Sequence, residues 1–299
     1  MYPKQPYFKH ERQEKSVALT FPPQHQNQMP GLEYEMTPLP IWDNPDYKPS
    51  GRLEGKIAIV TGGDSGIGRA TALAFAKEGA KVAIVYLNET KDAEETKARI
   101  EHYNGQCLLI EMDLRQEETA QAVVKEVVST WGAPSLLVNN CAVQYPQQSI
   151  LSITKEQLYL TFETNFFSYF FMTKAVLPHF TAGASIINTA SITAYKGNKS
   201  LIDYSSTKGA VVSFTRSLAL SLAEQEIRVN AVAPGPIWTP LIPASFDPDK
   251  VSQFGNNTPM KRAGQPFELA PAYVYLASDD SRYMSGQVLH VNGGDIVNG

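Results

Sequence analysis

From Leu53 onward the chain alternates short apolar runs with longer stretches in which apolar residues recur every three or four positions. Runs at 56–61, 81–86, 107–112, 136–140, 184–189, 228–233 and 287–291 have the length and apolar character of buried strands. Between them, the spacing predicts helices over about 66–79, 91–103, 117–131, 155–180, 203–223 and 266–277. In the first of these, Ala70, Leu73, Ala74 and Ala76 form the apolar stripe, and Gly79 supplies a C-terminal cap. Strand following helix in this way predicts an α/β fold: a single doubly wound Rossmann-type domain with a central parallel sheet flanked by helices. Only 234–265 lacks a period while being rich in Pro and Asn, and a connection that long predicts a functional lid, with a substrate loop at 236–261.

Residues 1–50 do not share the pattern. They hold nine of the 20 prolines and carry five Lys/Arg against six Asp/Glu, so they read as a Pro-rich N-terminal extension to a domain spanning 51–299. Its second half spaces Leu32, Tyr34, Met36, Leu39, Ile41, Trp42 and Tyr47 between prolines, which predicts an ordered arm laid over a neighbouring subunit. A disordered tail is the competing reading, and the better one for the first half.

Composition narrows the function classes. A net charge of −4 gives no basic excess to attract nucleic acid or an anionic membrane. No run approaches the roughly 18 apolar residues of a membrane span, and the N-terminus lacks a secretory apolar segment, so the cytoplasm is expected. Two cysteines, Cys107 and Cys141, suit a reducing compartment better than a disulfide framework. No metal-binding cluster is expected.

The candidate chemistry lies in three places. Thr61-Gly62-Gly63-Asp64-Ser65-Gly66-Ile67-Gly68 joins the first strand to the first helix. Glycines there let the backbone turn tightly and approach a pyrophosphate, while the helix N-terminus offers amide donors and a positive dipole end. Further on, Tyr204 precedes Lys208 by one helical turn, and Ser191 lies thirteen residues before Tyr204. A phenol near its reference pKa of about 10 exchanges protons poorly at neutrality, and an ammonium one turn away is expected to lower that pKa.

The T-G-x-x-x-G-x-G turn, Asn139-Asn140-Cys141-Ala142, the Ser191, Tyr204 and Lys208 trio, and Pro234-Gly235 with Thr239 together resemble the short-chain dehydrogenase/reductase family over about 53–294. That resemblance implies an NAD(P)-dependent enzyme acting on CH–OH donors, with Asn165, Ser191, Tyr204 and Lys208 as catalytic residues. Ser191 would hold the substrate oxygen, Lys208 the nicotinamide ribose, and Asn165 a water relay; a buried, satisfied amide in a helix kink is equally compatible with Asn165. It further implies cofactor contacts from Gly62, Asp64, Ser65, Gly66, Ile67, Gly68, Tyr86, Asp113, Leu114, Asn140, Tyr204, Lys208, Pro234, Gly235, Ile237 and Thr239. Asp113 would equally serve as an N-cap, and Asn139 as a support of the sheet.

An acidic residue about 20 positions beyond the glycine motif would select NAD, and a nearby Arg would select NADP. Tyr86-Leu87-Asn88-Glu89 meets neither rule cleanly, but Asp64 opposes a 2'-phosphate and favours NAD, whereas Arg69 or Lys91 would favour NADP. Gln144, Ile192, Thr193 and Trp238 are expected to contact an alcohol or carbonyl substrate of the sugar, polyol or aldehyde class. The family resemblance implies a homotetramer, and the face Ala210, Phe214, Leu218 and Leu222 permits it, although core packing of that face is the plainer reading. The alternative function is a nucleotide-binding regulator or scaffold without turnover.

Overall fold

Strand β1 (Ile57–Thr61) points Ala58 and Val60 to one face and Ile59 to the other, and all three are fully buried. Two-sided burial needs cover on both faces, which is why the strands are apolar runs and not alternating ones. The computed structural model describes residues 20–297; the first part of the extension, 1–19, lies outside the described residues. Strands β2 (Lys81–Tyr86), β3 (Gln106–Glu111), β4 (Leu136–Asn139), β5 (Ser185–Thr189), β6 (Arg228–Pro234) and β7 (Val288–Val291) complete one parallel sheet in the order β3-β2-β1-β4-β5-β6-β7. The order reverses between β1 and β4, so a crevice opens beyond the carboxyl ends of those strands.

The helices are α1 (Gly66–Lys77), α2 (Thr90–His102), α3 (Glu117–Trp131), α4 (Lys155–Phe162), α5 (Ser168–Val176), α6 (Thr193–Lys196), α7 (Ile202–Leu222), α8 (Pro248–Ser252) and α9 (Pro266–Ala277). On one face, Leu73 and Phe75 of α1 and Leu269 and Tyr273 of α9 pack on Ala58, Val60, Val138 and Ile187. On the other, Val123 and Val127 of α3, Met172 and Val176 of α5 and Leu222 of α7 cover Ile59, Leu137, Ile186 and Val229.

Three expectations change. The stretch read as one helix over 155–180 is broken by a π-helical turn at Glu163–Phe167 between α4 and α5, and the lid contains the short helix α8. The arm, expected on a neighbouring subunit, lies on its own chain: Phe21 stacks on Trp238 with ring centroids 3.8 Å apart, and Ile41 exchanges hydrogen bonds with Phe267 and Gln265. Both cysteines are free thiols, and burial pushes that of Cys107 up to about 12.

Candidate active site

The glycine turn is packed so tightly that only glycine fits at its key positions. A Cβ on Gly68 would collide with the carbonyl of Gly62, and one on Gly62, whose φ is +63°, would lie 3.0 Å from Cys141 Cα. Amides of Ile67 and Gly68, in the first turn of α1, donate to no acceptor among the described residues, and the nearest helical bond is Arg69 N–H to Ser65 O at 3.0 Å. Free donors at a helix start are where an anion is favoured.

From this turn a cavity of about 560 Å³ runs along the carboxyl ends of the strands. Gly62, Asp64, Ser65, Gly66 and Ile67 line its middle, with Tyr86, Asp113 and Leu114 at one end. Asn140, Gln144, Ser191, Ile192, Thr193, Tyr204, Lys208, Pro234, Gly235, Ile237 and Thr239 line the remainder. All but two of the catalytic and cofactor candidates therefore share one cavity. Three expected residues do not line it. Gly68 sits behind the turn it makes possible. Trp238, expected at the substrate, is fully buried, with its indole N–H donating 2.9 Å to Pro38 O. The arm has claimed that side chain.

Asn165 is the third. It sits in the π turn, fully buried, and its amide oxygen accepts from Val143 N–H while its nitrogen donates to Val143 O, both at 2.8 Å. A third bond, 3.3 Å to Thr207 Oγ1, ties this loop to α7. Asn165 thus anchors the segment after β4 against the helix that carries Tyr204. Asn139, at the end of β4, bonds Asn188 of β5 and Thr173 of α5 and stays off the cavity, whereas Asn140 faces it.

Helix α7 delivers Tyr204 and Lys208 from one face, one turn apart. Lys208 Nζ donates 2.7 Å to Thr189 O and 3.3 Å to Tyr169 Oη, and lies 5.7 Å from the Tyr204 ring centroid. Ser191 Oγ accepts from both the amide and the hydroxyl of Thr193, at 3.1 and 3.0 Å. The expected lowering of the phenol is not found in the protein alone. Burial pushes Tyr204 up to about 12, with Ser191 pulling the other way, and burial pushes Lys208 down to about 7, which weakens the cation meant to stabilise a phenolate.

Beside the glycine turn two carboxylates meet. Asp64 is pushed up to about 7 by burial and by the nearby charge of Glu89, and burial raises Glu89 as well. One Glu89 oxygen is buried with no hydrogen-bond partner among the described residues, on a side chain that lines the cavity. Arg69, a candidate for a 2'-phosphate, is 1% exposed and committed to Asp64 O, Glu33, Asp92 and Glu95. Lys91, the other, stands 3.7 Å over the ring of Tyr34. Asp113 is not an N-cap: α3 starts behind Gln116, and the Asp113 carboxylate is held by Arg115 at 2.5 to 3.0 Å, which keeps it below the usual carboxylate range.

A family model described as enoyl-(acyl carrier protein) reductase matches residues 62–295. The chain belongs to the short-chain dehydrogenase/reductase family. This short-chain dehydrogenase/reductase is 62% identical over 280 residues to the uncharacterized oxidoreductase YhxC of Bacillus subtilis, covering 94% of this chain and 98% of the relative. It is 53% identical to the glucose and ribitol dehydrogenase of Daucus carota, covering 93% and 98%. Identity to the NADPH-dependent aldehyde reductase 1 of Arabidopsis thaliana is 52%, covering 92% and 98%. Among solved structures, the 3-ketoacyl-(acyl-carrier-protein) reductase of Brucella melitensis, complexed with NADH, superposes with a TM-score of 0.74 at 34% identity, covering 81% and 98%. Residues 29–31, which also line the cavity, were missed by sequence reasoning, because nothing local in a Pro-rich arm points to a site tens of residues away.

Proposed function

We propose that this enzyme transfers hydride between a nicotinamide dinucleotide, NAD in preference to NADP, and a sugar, polyol or aldehyde, with Tyr204 as proton donor and acceptor. The observation that carries the reading is that Tyr204, Ser191 and Lys208 share one cavity with a glycine turn in which the Ile67 amide has no acceptor among the described residues. The residues fit a dinucleotide: the turn admits no side chain where a pyrophosphate would lie close, and the unpartnered Glu89 oxygen awaits a donor such as a ribose hydroxyl. Gly62, Ser65, Ile67, Asn140, Gly235 and Thr239 would hold its length, with Asp113 and Leu114 at the adenine end. When bound, the nicotinamide supplies the hydride chemistry, and the protein orients it. Ser191 holds the substrate oxygen beside the Tyr204 hydroxyl, which gives up or takes the proton. Lys208 orients the ribose and adds positive charge near the phenol, and Asn165 keeps the wall and α7 in register.

Two buried carboxylates at the ribose end, and the commitment of Arg69 and Lys91 elsewhere, support NAD. The NADPH-dependent relative supports the opposite preference, so the cofactor is the sharpest test. Dissociation constants for NADH and NADPH, measured side by side, should favour NADH by about tenfold or more; tighter NADPH would overturn the preference. For the substrate, Gln144 is 4% exposed, and its side-chain amide bonds to none of the described residues. With Ser191 and Thr193 it offers polar groups suited to a hydroxylated molecule, and a relative is named for glucose and ribitol. Turnover over a panel of aldoses, polyols and aldehydes tests this, and activity confined to hydrophobic ketones would refute it. Free thiols at Cys107 and Cys141 are consistent with the cytoplasm as its location.

A further inference from the structure

The arm does more than cover an apolar surface. Glu33 is 1% exposed, and its carboxylate accepts 2.6 Å from the amide of Gly66, the first residue of α1, and 2.8 Å from Arg69. Burial pushes this carboxyl up to about 7 against the pull of Arg69 and of the Gly66 amide. Desolvating a carboxylate opposes folding, and an apolar residue would attach the arm at less cost. What an apolar residue cannot do is hold the Gly66 amide.

The neighbouring backbone is fixed with equal care. Asp92 accepts from the amides of Glu33 and Tyr34 at 2.8 and 3.2 Å, and the Gln26 side chain clasps both backbone groups of Leu32 at 2.7 Å. Gly31 is wedged against the substrate loop: a Cβ there would collide with Pro240 O and lie 2.9 Å from Ala244 Cβ. The side chain of Thr239, next to Pro240, in turn lies 3.0 Å from where a Cβ on Gly66 would be. Arm, glycine turn and substrate loop therefore meet at one point on the cavity, and residues 29–31 form part of its wall.

We propose that arm segment 29–33 is a working part of the dinucleotide site, with Glu33 as a positioning residue that fixes the glycine turn and residues 29–31 as a wall closing over the cofactor. The proposal rests on the dinucleotide reading above. With Glu33 holding the Gly66 amide, that of Ile67, which lines the cavity, is left for the phosphates. The arm thus acts on cofactor affinity, not on the proton transfer at Tyr204.

Three measurements on the full chain test it, with NADH or NADPH, whichever the wild type binds, as probe. Glu33→Ala should raise the cofactor dissociation constant by about tenfold and its KM in parallel, with kcat nearly unchanged. Glu33→Gln, which keeps an acceptor for Gly66, should restore affinity to within about threefold of wild type. Should Glu33→Ala fail to fold, hydrogen exchange on the wild type decides: amides in 29–35 should gain protection when cofactor is added. Unchanged affinity in Glu33→Ala, a Gln variant as weak as Ala, or no change in arm protection would each overturn the proposal. If the wild type binds neither nucleotide, the dinucleotide reading itself fails, which is distinguishable from a failure of the arm.

Discussion

Tyr204 is the proposed proton donor and acceptor, and its surroundings set the direction of its response to pH. Burial keeps the phenol protonated at neutrality, so alcohol oxidation, which needs the phenolate, should accelerate between about pH 6 and 9, while carbonyl reduction should gain nothing from the same rise. The ratio of kcat/KM in the two directions across that range checks this. Glu33 gives a separate signature in stability. Its folded pKa, about 7, lies above the reference 4.5, so the folded state holds a proton that the unfolded chain has lost. The associated stability is complete below the unfolded value and is lost as pH rises through about 7. Arg69, Asp92 and Glu95 surround the group, and Glu33→Gln keeps Arg69 paired with the other two. That variant should be more stable than wild type by about 1–3 kcal/mol above pH 7 and should lose the advantage near pH 4. Thermal midpoints of the pair at both pH values measure it.

The elements divide into those whose information is local and those whose information is not. Strands were legible almost residue for residue, because a strand buried on both faces is a continuous apolar run; 81–86 and β2 coincide. The site was legible where chemistry demands a spacing, as in the glycine turn and the one-turn step from Tyr204 to Lys208. The interruption of the helix at Glu163–Phe167 was legible only as the kink open to Asn165, and its π-helical form was not, since the segment contains neither Pro nor Gly and the turn is tied to Asn165 bonding Val143, 22 residues earlier. Nor was the path of the arm, whose partners Arg69, Asp92 and Trp238 lie 36, 59 and 200 residues from Glu33, Glu33 and Pro38 respectively. Trp238 was misplaced for the same reason: its neighbour in space, Phe21, is far away in sequence. It is the anchor by which the arm grips the substrate loop, inside a small apolar cluster with Met36, Ile242 and Val251. Trp238→Ala should therefore cost about 3–5 kcal/mol, read as a fall in thermal midpoint. Limited proteolysis should also cut the arm sooner than in wild type.

At the scale of the whole molecule, α4, α5 and α7 present an aromatic surface. Phe170 is 47% exposed and packs 5.7 Å from Phe214, Phe167 is exposed in the same ring cluster, Tyr159 of α4 is exposed, and Leu220 of α7 is 83% exposed. The face named from sequence divides between two tasks: Leu218 and Leu222 pack into the chain's own core, while Phe214 joins the outward aromatic cluster. An exposed apolar patch of this kind marks an association surface, and we propose that it pairs subunits of a homotetramer. Light scattering should give about four times the 32.9 kDa chain mass, and Phe170→Glu should reduce it; a monomeric wild type at micromolar concentration would contradict the tetramer. No helix among the described residues is long and apolar enough to cross a membrane. Turnover is what all of these parts together exist to produce. The most direct test follows reduced-nicotinamide absorbance for wild type and Tyr204→Phe on the same alcohol and aldehyde panel, with cofactor binding measured alongside. The account predicts that the variant binds cofactor as wild type does and loses about 10²- to 10⁴-fold in kcat. A variant that turns over at the wild-type rate, or a wild type that binds cofactor and converts nothing, would contradict it.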